Sequence, residues 1–281
     1  MESINITASD GYELSALFGS AVGRCQGSVI ISSATSIRKE FYINFASFLN
    51  ENGYNVLLFD YRGIGGSAPN DLKSANFFMH EWGTFDMNAA LNYLVYEKQL
   101  TNIIWVGHSI GGQLVGFIEN QRHLKKIVTV NAGVGYWGYF PFPMSIAMWV
   151  MWHLVSPVIL KWYGYGMMRK IGWGEDLPRN TILEWKGWCT NKDYYMPYLH
   201  QKLNVDRFYH ITIPVTSIYT SDDYLANDRT VPLMMEFFPN APVDIRKIIV
   251  DDYTDEKVGH NGIFRRKFRT SLWPLLINAL T

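Results

Sequence analysis

The feature that most narrows what this chain can fold into is an alternation. Short, near-continuous apolar runs take turns with stretches of helical period. Tyr54–Asp60 (YNVLLFD), Ile103–Val106 and Ile127–Asn131 read as strands apolar on both faces, which suits parallel strands covered above and below. Around them, Glu40–Asn50 carries Phe41, Phe45, Phe48 and Leu49 at helical spacing and stops at Asn52-Gly53. Met87, Ala90, Leu91, Leu94 and Val95 fall on one helical face, with Thr84 as the expected N-cap. Ile110–Glu119 reads as a further helix. Downstream come a strand at Val215–Tyr219, a helix at Asn227–Phe237, a strand at Asp244–Val250, and a last helix from about Gly262 to Ala279 kinked at Pro274. At the front, Ile4–Ala8 and Tyr12–Phe18 flank the turn Ser9-Asp10-Gly11 as an antiparallel edge, and Gly27–Ser33 is one more strand. The expected fold class is α/β, a mainly parallel sheet with helices on both faces.

The rhythm breaks once. Residues 133–208 hold seven of the ten tryptophans and six of the eleven methionines. This stretch is expected to be a helical insertion over the C-terminal edge of the sheet, where α/β proteins bind ligands, with 1–132 and 209–281 forming the core. Trp137, Trp149, Trp152 and His153, together with His108, are the candidate pocket lining. Met144 to Leu160 (MSIAMWVMWHLVSPVIL) is mostly apolar but falls short of the ~20 residues that cross a bilayer. Ser145, His153, Ser156 and Pro157 interrupt it. A buried or substrate-facing helix is expected there, compatible with shallow contact with a lipid or micelle surface.

Composition excludes several classes. Lys+Arg and Asp+Glu are equal at 25 each, so no cationic surplus points to nucleic acid. With 48% hydrophobic and 18% charged residues, disorder is not expected. Cys25 and Cys189 make neither a disulfide framework nor a CxxC metal pair, and no HExxH or Walker motif occurs. Gly63-Ile64-Gly65-Gly66-Ser67-Ala68 nominally fits a dinucleotide fingerprint, but Pro69-Asn70-Asp71 follows where a helix would have to open. The N-terminus has neither a basic nor an apolar leader segment, so a cytoplasmic setting is the simplest expectation.

The residues that carry chemistry begin with Gly107-His108-Ser109-Ile110-Gly111, a G-x-S-x-G run directly after one strand and directly before a helix. That context holds a serine exposed on a sharp turn. The helix opening at Ile110 aims free N–H groups at a developing oxyanion. A serine needs a base. Of seven histidines, His260 lies between the last strand and the last helix, where a loop can bring an imidazole over the sheet edge. The base needs a carboxylate. Asp222 and Asp223 leave the end of the strand at 215–219, and adjacent side chains point opposite ways, so only one can face His260. Asp251, Asp252 and Asp255 are further alternatives.

Taken together, these motifs resemble the α/β-hydrolase-fold serine hydrolases over nearly the whole chain. The likeness is to a subgroup of predicted bacterial esterases, through Asp60-Tyr61-Arg62-Gly63-Ile64-Gly65-Gly66-Ser67, Gly107 to Gln113, and Gly172-Trp173-Gly174-Glu175-Asp176-Leu177-Pro178. The resemblance implies a Ser109–His260 pair completed by Asp223 in preference to Asp222. It also implies an oxyanion hole from the N–H of Ile110 and that of Thr35 or Ser36, and no metal or organic cofactor. The chain departs from the wider superfamily at Ser33-Ala34-Thr35-Ser36-Ile37, which lacks the usual His-Gly, and at Thr220-Ser221-Asp222-Asp223, which lacks the usual Gly before the acid. The expected activity is hydrolysis of a small carboxylic ester with an apolar portion. Acyl transfer, amide or peptide cleavage, and ligand binding without catalysis are the alternatives.

Overall fold

The computed structural model describes residues 1–203 and 207–281. The apolar runs form β1 (Glu2–Thr7), β2 (Glu13–Gly19), β3 (Gly27–Ser32), β4 (Tyr54–Phe59), β5 (Ile103–His108), β6 (Leu124–Val130), β7 (Val215–Thr220) and β8 (Val243–Ile248). They join in one sheet of order β1-β2-β4-β3-β5-β6-β7-β8. β1 and β2 pair antiparallel, as do β2 and β4; every other pair is parallel. The α/β architecture read from the alternation is the one observed.

Side chains alternate across the sheet and feed two separate cores. Ile30, Leu57, Trp105 and Ile127 point to one face. Val29, Val56, Leu58, Ile104, Val106 and Val128 point to the other. The second core is closed by Phe45 and Leu49 of the helix Ile43–Glu51 and by Trp273 and Leu276 of the helix Trp273–Asn278. The first core takes in Trp82, Leu91 and Leu94 of a helical stretch at 79–97, and also Met148, Trp152, Leu160 and Trp188 from the chain between β6 and β7.

That chain, expected as an insertion at 133–208, contains the helices Met144–Tyr163 and Arg179–Cys189; positions 204–206 lie outside the described residues. The first helix is longer than the apolar run suggested. It continues three residues past Leu160 to reach 20 residues, long and apolar enough by length and composition to cross a membrane. It carries a π-helical turn at Met151–Val155.

Three local expectations are corrected. Thr84 does not cap a helix: the helical stretch already starts at Met79, and Thr84 Oγ1 donates to the carbonyl of His80 one turn back. The helix after Ser109 ends at Gln113 rather than Glu119; Gly116 follows, flat against Phe208, whose ring would lie 2.3 Å from a Cβ there. Pro274 does not kink a long helix but opens a short one, Trp273–Asn278, the first-turn position where its missing N–H costs nothing.

Candidate active site

β5 ends at His108 and the chain turns sharply into the helix Ile110–Gln113. Ser109 stands on the turn with φ 53° and ψ −117°, a region non-glycine residues seldom occupy. Contact forces the flanking glycines. A Cβ on Gly107 would stand 2.4 Å from the carbonyl oxygen of Gly111, and one on Gly111 2.2 Å from that of Ser32.

The structure brings Ser109, His260 and Asp223 together from three separate elements. Ser109 Oγ lies 2.9 Å from His260 Nε2. His260 Nδ1 lies 2.7 Å from Asp223 Oδ2. A carboxylate can only accept, so Nδ1 carries the hydrogen and Nε2 is left to accept from the serine hydroxyl. Asp223 is buried, and its other oxygen accepts from the N–H of Leu225. Asp222 points the other way and pins the turn that carries His260. Its Oδ2 accepts from the N–H groups of both Val258 and Gly259.

A second set of contacts, invisible in the sequence, holds the backbone of His260. Its carbonyl accepts from His108 Nε2 at 2.9 Å and from Asn131 Nδ2 at 2.9 Å. Asn131 sits just past β6 at φ 49°, and its Oδ1 accepts from the N–H of Thr220. His108 Nδ1 faces the Tyr42 hydroxyl at 2.7 Å, and that oxygen accepts from the N–H of Ala34. Burial, with a smaller contribution from nearby His260, pushes the His108 imidazole down to about 3. A neutral ring has one donor. It goes to the carbonyl of His260, and Tyr42 then donates to Nδ1.

The loop after β3 is fixed from both sides. Ser36 has φ 63°. Its carbonyl accepts from the N–H of Glu175 at 2.7 Å, and Gly174, at φ +99°, packs so closely that a Cβ would meet that carbonyl oxygen at 2.2 Å. Below, buried Asp60 accepts from the backbone N–H and from Nζ of Lys39, at 2.7 and 2.6 Å, and from the N–H of Gly66. Two of the motifs quoted from the sequence thus converge on the loop at 34–39.

Beside Ser109 and His260 lies a cavity of about 460 Å³. Thr35 and Ser36 border it, and Ile110 is buried behind Ser109 as the first residue of its helix. The rest of the wall is mainly apolar: Met144, Met148, Met168, Trp173, Trp185 and Tyr194. None of the five residues expected to line it does so. His108 is fully buried under the turn. Trp152 is fully buried against Trp185, their ring centroids 5.0 Å apart. Trp149 and His153 lie against each other with tilted rings, centroids 5.1 Å apart, and both are exposed. Trp137 packs beside Tyr136 in a short turn outside the wall. The sequence also missed Gln113, which lines the cavity and ties the helix after Ser109 to the overlying chain. Its Nε2 donates to the carbonyl of Gly133 and its Oε1 accepts from Tyr194. Among the described residues no cluster of metal-ligating side chains occurs.

No curated protein matches the chain in sequence. Solved structures match in fold. An esterase from Exiguobacterium antarcticum superposes with a TM-score of 0.63 at 17% identity, covering 99% of each chain. A thermophilic esterase from Thermogutta terrifontis gives 0.61 at 12%, covering 100% of each. An N-formylmaleamic acid deformylase from Pseudomonas putida gives 0.59 at 14%, again covering 100% of each. The family described as the alpha/beta hydrolase fold matches residues 29–184, a span that runs from β3 through the turn at Ser109 and across the helix Met144–Tyr163. The chain belongs to the α/β hydrolase fold family.

Proposed function

We propose that the chain is a serine hydrolase acting on carboxylic esters with an apolar portion. The observation that carries this reading is the continuous hydrogen-bonded line Ser109–His260–Asp223 at the edge of a largely apolar cavity. In the first half-reaction Ser109 Oγ attacks the ester carbonyl while His260 Nε2 takes its proton. Asp223 holds the imidazole in the required tautomer and stabilises its charged form. The N–H of Ile110 and that of Thr35 or Ser36 receive the oxyanion. His260 then protonates the departing alcohol. Water, deprotonated by His260, releases the acid from Ser109. The helices between β6 and β7 serve as a cap whose inner methionines and tryptophans take the apolar portion of the substrate. Members of this fold with esterase activity give the reading its precedent.

The test is twofold. A fluorophosphonate probe should label Ser109, and Ser109→Ala should abolish labelling. The same substitution should lower kcat on model esters by about 10⁴-fold or more. Wild-type protein that takes up no probe, or a variant that keeps its turnover, would sink the assignment.

A further inference from the structure

The helix Met144–Tyr163 has two faces with different fates. Met148, Trp152, Ser156 and Leu160 are buried, one every fourth residue. In a regular helix a spacing of four drifts by roughly 40° per step; the π-helical turn at Met151–Val155 takes up part of that drift and keeps the stripe on one side. The opposite face is apolar and open. It carries Ile146, Trp149, Leu154, Val158 and Trp162, with Phe142 just ahead of the helix. Phe142 is 79% exposed and Trp162 77%. Only 22% of the most apolar window of this helix is buried, so it is not a core helix. Its inner stripe is packed into the same core as the sheet, so it lies along the molecule. An exposed apolar face of this extent marks a docking surface.

Charge identifies the partner. The chain as a whole is balanced, yet residues 133–174 contain no Asp or Glu while holding Lys161, Arg169 and Lys170, and the acids that follow directly, Glu175 and Asp176, are both engaged by Arg169, which leaves Lys161 and Lys170 as the surplus. The three basic residues are exposed; Arg169 pairs with Glu175, and Lys170 lies over the ring of Tyr163. Lys161 sits within the apolar face, beside Trp162. Protein interfaces are depleted in lysine at their cores. At a lipid surface a lysine buries its stem and reaches its ammonium to the headgroups, and tryptophans favour the same boundary. We infer that this face docks the protein on an anionic lipid surface, with the helix lying in the plane of the headgroups. The same helix supplies Met144 and Met148 to the cavity wall, and Trp173 is both exposed and part of that wall. Docking therefore places the cavity wall next to the lipid. The inference does not depend on the catalytic reading.

The experiment is co-sedimentation of the full chain with vesicles of phosphatidylcholine, with and without phosphatidylglycerol. The protein should pellet with the anionic vesicles, less with phosphatidylcholine alone, and less at high salt. The double variant Val158→Ser/Trp162→Ser should partition about tenfold more weakly or worse, with an unchanged melting temperature. Lys161→Glu should lose the preference for anionic vesicles. Val22→Ser, at an exposed apolar residue far along the chain, and Ser109→Ala should bind as wild type does. No pelleting with either vesicle would overturn the inference, as would binding indifferent to the double variant. A solution dimer that the double variant dissolves would also overturn it, assigning the face to a second copy of the chain.

Discussion

His108 shows how one side chain can hold a candidate site together without lining its cavity. Its ring links three segments far apart in sequence. Through Tyr42 it reaches the N–H of Ala34 at the start of the loop after β3, by its own backbone it adjoins Ser109, and through Nε2 it grips the carbonyl of His260. Replacing it with Gln should cost on the order of 1–3 kcal/mol of stability, because buried partners lose their geometry. It should also lower kcat more than it changes KM, because the imidazole at 260 is less well held. The pH dependence has a definite sign. In the folded chain His108 stays neutral down to about 3, whereas in the unfolded chain it takes up a proton near 6.5. Between those values the unfolded state binds more protons, so the contribution of His108 to stability is whole above about pH 6.5 and is lost as pH falls toward 3. The gap in unfolding free energy between wild type and His108→Gln should therefore shrink by on the order of 2 kcal/mol between about pH 7 and about pH 4.5. Denaturant titrations at the two pH values measure it. Asp86, which burial pushes up to about 7 against the opposing pull of Arg62, titrates in both proteins and cancels.

Among the elements, the segment Gly172–Pro178 acts as a clasp on the loop after β3. Its two positive-φ glycines separate geometry from contact. Gly174 has φ +99° and no room for a Cβ beside Ser36; Gly172 has φ +75° and nothing near the place a Cβ would take. Gly172→Ala should cost about 1 kcal/mol, the strain of the conformation alone. Gly174→Ala should cost roughly 3 kcal/mol or more. By displacing Ser36 it should also slow probe labelling of Ser109, and by more than Gly172→Ala, whose added methyl borders the cavity but meets no atom within 4 Å. Melting temperatures and labelling rates of the two variants decide it. Elements were also where the sequence was most readable. All eight strands were recognisable, the inner ones because each is an apolar run whose alternate residues enter two cores, and register hardly matters when both faces are buried. Helix ends were not, because Gly116 and Pro274 act through contacts and positions that appear only after packing. Ser109 and His260 could be found because the turn that strains a serine leaves glycines in the sequence. Asp222 and Asp223 could not be told apart on residues alone, since both turn out to hold the His260 turn, one by its ring and one by its backbone. The pocket was unreadable: which side of Met144–Tyr163 faces inward depends on the π-helical turn, and Trp149, Trp152 and His153 carry no mark of their phase.

On the scale of the molecule, the sheet edge supplies Ser109, His260 and Asp223, while the helices between β6 and β7 supply the apolar wall. If the chain acts as proposed, chemistry and selectivity fall to different parts of it, and the second should be alterable without the first. Met148 projects from the helix into the wall. Met148→Trp fills part of the cavity and should reduce kcat/KM for long-chain model esters by about tenfold or more while sparing short ones. A chain-length series with both proteins tests this, and a uniform loss across the series would count against the wall as the selecting surface. The helix Met144–Tyr163 is a partition one side chain thick on either side. Met144 and Met148 line the chamber from the same helix that carries the exposed apolar residues, so any tilt or roll of its exterior would carry part of the chamber wall with it.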